Sequence, residues 1–237
     1  MSNYHFYKNN NSNINLNIDK DEVLRYLGYK SNVIDETTDS IIDSSIYEIQ
    51  KTSSMNYVYA IFNIEETNEG ILLNNSIIKL TGRDIHEHLK GSQKVAVMAV
   101  TLGFQVEQKI KHYSITNLTK GIILDACATA MVEELCNYVE KDIKALAIKS
   151  GYNITHRYSP GYGDLPISIQ PDILNALNAQ RLIGLTVTDN FILLPRKSVT
   201  AIIGFTKEKP RNKEGCLNCN LYENCQFSKE RGLCHAK

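Results

Sequence analysis

Eight apolar residues, Leu118, Ile122, Ala126, Ala130, Leu135, Val139, Ile143 and Leu146, recur at helical spacing through a stretch that contains no proline. The period predicts one helix over 118–150, about 50 Å long at 1.5 Å per residue, with charged residues on its other face. Just upstream, Val95-Ala96-Val97-Met98-Ala99-Val100 is an uninterrupted apolar run. That is the mark of a strand buried on both faces. Such a strand and a long one-sided helix require a layered fold in which helices cover a sheet.

The rest of the chain fills in the layers. Asp19 followed by Glu22 has capping-box spacing and opens a short helix that closes at Gly28, and a second helix is expected over 39–51. Residues 57–64 are rich in strand formers, and 71–80 read as their antiparallel partner. Thr81 is placed to cap a helix over 83–89, and another follows over 105–113. The turn Thr101-Leu102-Gly103 joins strand to helix, a place where ligands often sit. Pro171-Asp172 opens a helix ending at Gly184, Asp189-Asn190 makes a tight turn between 185–188 and 191–194, and 199–205 is a last strand. The expected class is α+β, with helices packed on a twisted, largely antiparallel sheet. The expected organisation is an Asn-rich disordered start (1–18), one domain (19–207) and a cysteine-rich tail (208–237).

Charge excludes some partners. Lys+Arg and Asp+Glu both count 26, so nothing in the balance points to nucleic acid or an anionic membrane. No apolar run reaches the ~20 residues of a membrane span, and the start lacks a signal-peptide pattern, so a cytoplasmic protein is expected.

The six cysteines divide by position. Cys127 and Cys136 lie within the long helix and read as small buried side chains. Cys216, Cys219, Cys225 and Cys234 crowd the end of the chain, a set that suits a tetrahedral zinc or an iron–sulfur cluster. Free or regulatory thiols are the third reading. His86 and His88 stand two apart on a predicted helix, do not share a face, and read as surface residues.

The densest chemical signal is Arg157-Tyr158-Ser159-Pro160-Gly161-Tyr162-Gly163-Asp164-Leu165-Pro166. Gly161 and Gly163 allow close approach to the main chain, while Pro160 and Pro166 stiffen the path. Arg157 offers a planar charged fork for a carboxylate or phosphate. The plain alternative is a rigid connector whose Arg157 pairs with a nearby acid.

Arg-x-x-Pro-Gly-Tyr-x-x-x-Pro resembles the S-adenosylmethionine-binding loop of the activation domain of cobalamin-dependent methionine synthase. Phe191-Ile192-Leu193-Leu194-Pro195-Arg196-Lys197-Ser198-Val199 is similar to that family's Phe-x-x-x-Pro-x-x-Ser-Val stretch, and the resemblance runs from about Tyr57 to about Phe205. It implies that Arg157 holds the cofactor's carboxylate, that Pro160, Gly161, Tyr162, Gly163 and Asp164 line it, and that Glu133 faces it, with Glu134 as the alternative. The larger enzymes carry Ala-Cys where this chain has Asp164-Leu165. An acid there reads either as a contact to the cofactor's amino group or as a solvated charge.

The implied activity is reductive methylation of cobalamin on a separate methionine synthase subunit, in support of methionine biosynthesis. A flavodoxin- or ferredoxin-like protein would supply the electron. Reactivation of another corrinoid methyltransferase is a second reading, and a metal-binding scaffold without cofactor binding is a third.

Overall fold

A computed structural model describes residues 6–8, 14–29 and 34–208. The chain begins with β1 (Tyr7–Lys8), α1 (Lys20–Tyr26) and α2 (Glu36–Thr52). It continues through β2 (Asn56–Thr67), β3 (Gly70–Leu73), β4 (Lys79–Leu80) and α3 (Arg83–Leu89). β5 (Ser92–Thr101), α4 (Phe104–Thr116) and α5 (Leu118–Lys149) form the centre. β6 (Asn153–Ile154), α6 (Gln170–Ala176), α7 (Ala179–Ile183), β7 (Thr186–Val187), β8 (Leu193–Leu194) and β9 (Ser198–Thr206) follow.

One antiparallel sheet in the order β4-β3-β2-β5-β9-β6 organises the molecule, with β1 also paired to β2. Strand β5 lies between β2 and β9, Met98 opposite Tyr59 on one side and Ala201 on the other. Alternation along a strand sends successive side chains to opposite faces. Ala96, Met98 and Val100 therefore enter a core shared with α1, α2, α4 and α5. Val95, Val97 and Ala99 enter a second core, shared with α3, α6 and α7. The sheet is covered by helices on both faces, which is why the 95–100 run contains no polar residue. This is the α+β class expected.

Several expectations require correction. Part of the Asn-rich start is ordered: Tyr7 stacks on Tyr59 with ring centroids 4.7 Å apart, the Leu16 carbonyl accepts a hydrogen bond from Gln50, and Ile18 is buried. Interleaved Tyr, Ile and Leu side chains supply the burial that the asparagines cannot. The Asp19 box does not close, because Glu22 pairs with Arg25 at 2.7 Å instead of reaching back. The expected 171–184 helix is two helices, broken at Asn178, whose φ of 50° is a left-handed conformation that asparagine tolerates. Helix α3 is not capped by Thr81; its N-cap is Gly82. The four tail cysteines, Cys216, Cys219, Cys225 and Cys234, lie outside the described residues.

Candidate cofactor-binding site

The 157–166 loop begins as an edge segment of the sheet. Tyr158 and Ile202 of β9 exchange both backbone hydrogen bonds at 2.9 Å. Strand alternation there sends Arg157 to the α5 side and Tyr158 to the α3 side. Beyond Ser159 the chain folds on itself: the Gly161 N–H donates to the Leu165 carbonyl at 2.9 Å, and the Leu165 N–H donates to the Tyr162 carbonyl at 3.0 Å. Pro160 and Leu165 are buried, whereas the Tyr162 ring is 67% exposed.

On the α5 side, Arg157 lies between two carboxylates. Its Nη2 is 3.2 Å from Glu133 and its Nε 3.5 Å from Glu140. Glu133 and Glu140 are seven residues apart, two helical turns, and share a face. Nη1 is buried and has no hydrogen-bond partner among the described residues. A fixed-charge donor in that state is set for a further acceptor, and a ligand carboxylate suits a guanidinium best. Glu134 instead accepts from Asn137 at 3.0 Å, so Glu133 is the glutamate that meets the loop. Tyr26 borders the site from α1: burial, and then the Glu133 charge, raise its phenol above the usual range. Near Arg157, burial pushes the Cys136 thiol well above its usual range, and burial pushes the Cys127 thiol up to about 12, so both stay protonated and inert.

On the α3 side, the Asp164 carboxylate accepts from the backbone N–H of Arg83 at 2.6 Å and of Asp84 at 3.1 Å. The Tyr158 hydroxyl donates to the Tyr162 carbonyl at 3.3 Å. Burial, with Asp84 and Asp164 nearby, pushes that phenol up to about 12. The Tyr158 ring lies 4.9 Å from that of His88. His88 is not the surface residue expected. It packs edge-on against His156 at 4.3 Å, with its Nε2 3.0 Å from both the His156 carbonyl and the Thr155 hydroxyl. Burial, helped by His156, pushes its imidazole down to about 4, so it is neutral at pH 7.

The 191–199 stretch locks the other end of this face of α5. Lys197 Nζ binds Thr129 at 2.8 Å and Asp125 at 2.9 Å, and the Arg196 N–H donates to Glu107 of α4 at 2.9 Å. The Lys197 carbonyl accepts from the Leu102 N–H at 3.0 Å, and the Leu102 carbonyl accepts from the Ser54 N–H, so protein partners occupy the 101–103 turn. An apolar cleft of about 350 Å³, lined by Tyr26, Ile110, Leu118, Ile122 and Thr129, runs along the same face of α5. Thr129 stands one turn from Glu133. Lys197, Asp125, Glu140 and Tyr26 were not singled out in the sequence. Glu140 had a signal in its seven-residue offset from Glu133, while Tyr26 is brought in by tertiary packing alone. Among the described residues, no group of three or more His, Cys, Asp or Glu could hold a metal ion.

Residues 78–212, more than half of the chain, match the family model described as vitamin B12 dependent methionine synthase, activation domain. The chain belongs to this family. A crystal structure of the MetH reactivation domain bound to AdoHcy matches the fold of this activation-domain chain with a TM-score of 0.60 at 15% sequence identity. The match covers 74% of this chain and 66% of that one, so the activation-domain chain described here spans just under two thirds of its structural relative. No curated protein matches it. Within the activation-domain match fall both arms of the site, Glu133 on α5 and Arg157 on the loop. The residues on the N-terminal side, Tyr26 among them, fall outside it. No helix among the described residues is long and apolar enough to cross a membrane.

Proposed function

We propose that this chain binds S-adenosylmethionine and presents it for reductive methylation of cobalamin carried by a separate methionine synthase subunit. The observation that carries the reading is Arg157: one guanidinium nitrogen is buried without a partner, and the other two nitrogens lie against Glu133 and Glu140. An amino-acid end group fits that arrangement. Its carboxylate would take the unpartnered Nη1 of Arg157, and its ammonium would take Glu133. The exposed backbone of Gly161 and Gly163 and the ring of Tyr162 would line the remainder of the cofactor. The structural relative's AdoHcy is the demethylated form of the same molecule.

The partner-borne cobalamin would supply the nucleophile, after one-electron reduction by a flavodoxin- or ferredoxin-like donor. This chain's own residues have one task, to hold the sulfonium methyl in line and keep competing nucleophiles away. The buried, protonated Cys127 and Cys136 meet the second requirement. No general acid or base is required. The tail cysteines are the proposed ligands of a zinc ion or an iron–sulfur cluster.

The test is methyl transfer from S-adenosylmethionine labelled in the methyl group to a cobalamin-loaded methionine synthase subunit, with a low-potential reductant. Label should enter the corrinoid only when this chain and the reductant are both present. Equal labelling without this chain would refute the reading.

A further inference from the structure

The 157–166 loop carries two anchors beyond its own turns. One is the Tyr158–Ile202 pair at its start. The other is Asp164, near its end, which reaches a helix about 80 residues away in sequence and binds two of its N–H groups. Helix α3 has no cap of its own: its N-cap residue is Gly82, which makes no side-chain cap hydrogen bond. Asp164 supplies that cap across the fold.

Two glycines make the approach possible. Gly82 has φ 128°, and a Cβ there would collide with the Asp164 carboxylate. Gly163 has φ 51°, and a Cβ there would collide with the Asp84 carboxylate and the Tyr158 hydroxyl. Each side of the contact thus gives up a side chain to admit the other. Neither a solvated acid nor an acid that contacts the cofactor directly would need a glycine at position 82. Through the Tyr162 carbonyl, which accepts from both Leu165 N–H and the Tyr158 hydroxyl, the anchor is joined to the segment that faces solvent.

We infer that Asp164 is a positioning residue: by closing the first turn of α3, its carboxylate fixes the shape in which the loop presents Arg157 and the Gly161–Gly163 backbone to the cofactor. The inference rests on the cofactor site proposed above, and it assigns Asp164 to α3 and not to the cofactor's amino group.

The test pairs calorimetry against S-adenosylhomocysteine with amide hydrogen exchange by NMR, on the wild type, Asp164→Ala, Asp164→Asn and Gly82→Ala. Asp164→Ala should weaken binding about tenfold, the scale of one lost charge-assisted hydrogen bond. It should also speed exchange at Gly161 and Leu165 while leaving β5 and β9 unchanged. Asp164→Asn, whose amide oxygen can still accept, should fall between. Gly82→Ala should reproduce Asp164→Ala although the carboxylate is retained. Weaker binding with unchanged exchange would make Asp164 a direct ligand contact and overturn the inference. Faster exchange with unchanged affinity would overturn it as well. If wild-type protein binds no S-adenosylhomocysteine, the proposed site fails. Exchange then decides alone: unchanged Gly161 and Leu165 in both Asp164→Ala and Gly82→Ala would overturn the anchor, and faster exchange in both would sustain it.

Discussion

Arg157, Glu133 and Glu140 together place one positive and two negative charges on a partly exposed surface. A zwitterionic amino-acid end group adds no net charge, but it gives each of two groups a partner, its ammonium against Glu133 and its carboxylate against the free guanidinium nitrogen. Glu133→Gln should therefore weaken S-adenosylhomocysteine binding about tenfold. Glu134→Gln should leave it within about twofold, because adjacent helix residues point some 100° apart and Glu134 is tied to Asn137. Calorimetry on the two variants checks the pair. Periodicity could not choose between these glutamates, since both border the apolar stripe. The choice is made by where the Arg157 segment lands after β6, a long-range fact. At Gly163 the demand is steric. Gly163→Ala should cost about 1–3 kcal/mol in urea unfolding, from the positive φ and the contacts with Asp84 and Tyr158. A cost under a few tenths of a kcal/mol would mean that the loop is looser than described.

At the scale of elements, α2, α4 and α5 meet at Glu48. It binds Lys109 and Lys120, each at 2.9 Å, and accepts from Tyr113 at 3.3 Å. Burial alone would raise the Glu48 carboxyl, but the two lysines outweigh it and hold the carboxyl below its usual range. A lowered folded pKa stabilises the protein above the unfolded value, about 4.3, and that stability is lost as pH falls through the folded pKa. Glu48→Gln should be less stable than wild type by about 1 kcal/mol at pH 7, with the gap closing towards pH 3. Urea titrations at the two pH values check this, and a pH-independent gap would exclude the ionic contribution. Elements with a strong local pattern were legible in the sequence: β5 from its apolar run, α5 from its period, and the start of α1 from Asp19. The two-residue strands β1 and β6 were not, because only their long-range pairing with β2 and β9 makes them strands, and the 71–80 stretch read as one strand is two, β3 and β4, paired as a hairpin. The cap of α3 was equally hidden, since its acid comes from Asp164.

At the scale of the molecule, the sheet separates two cores, and the 157–166 loop crosses the sheet edge to touch both helical layers. The cofactor-facing cation belongs to the α5 layer and the loop's brace to the α3 layer. A chain shortened to end at Glu208 keeps Glu133 and Arg157 with the elements that hold them, and should bind S-adenosylhomocysteine unchanged. It should also lose whatever zinc or iron the full chain holds after anaerobic purification, as metal analysis would read. Metal retained by the shortened chain would remove the tail cysteines as ligands.

The central claim is that Arg157 anchors the cofactor, and calorimetry of S-adenosylmethionine binding to wild type and Arg157→Ala tests it most directly. The account predicts saturable one-to-one binding by the wild type, weakened about a hundredfold in a variant that remains folded, the scale of a lost charge-assisted pair. Wild-type protein that shows no saturable binding, or an Arg157→Ala variant that binds as tightly as wild type, would contradict it.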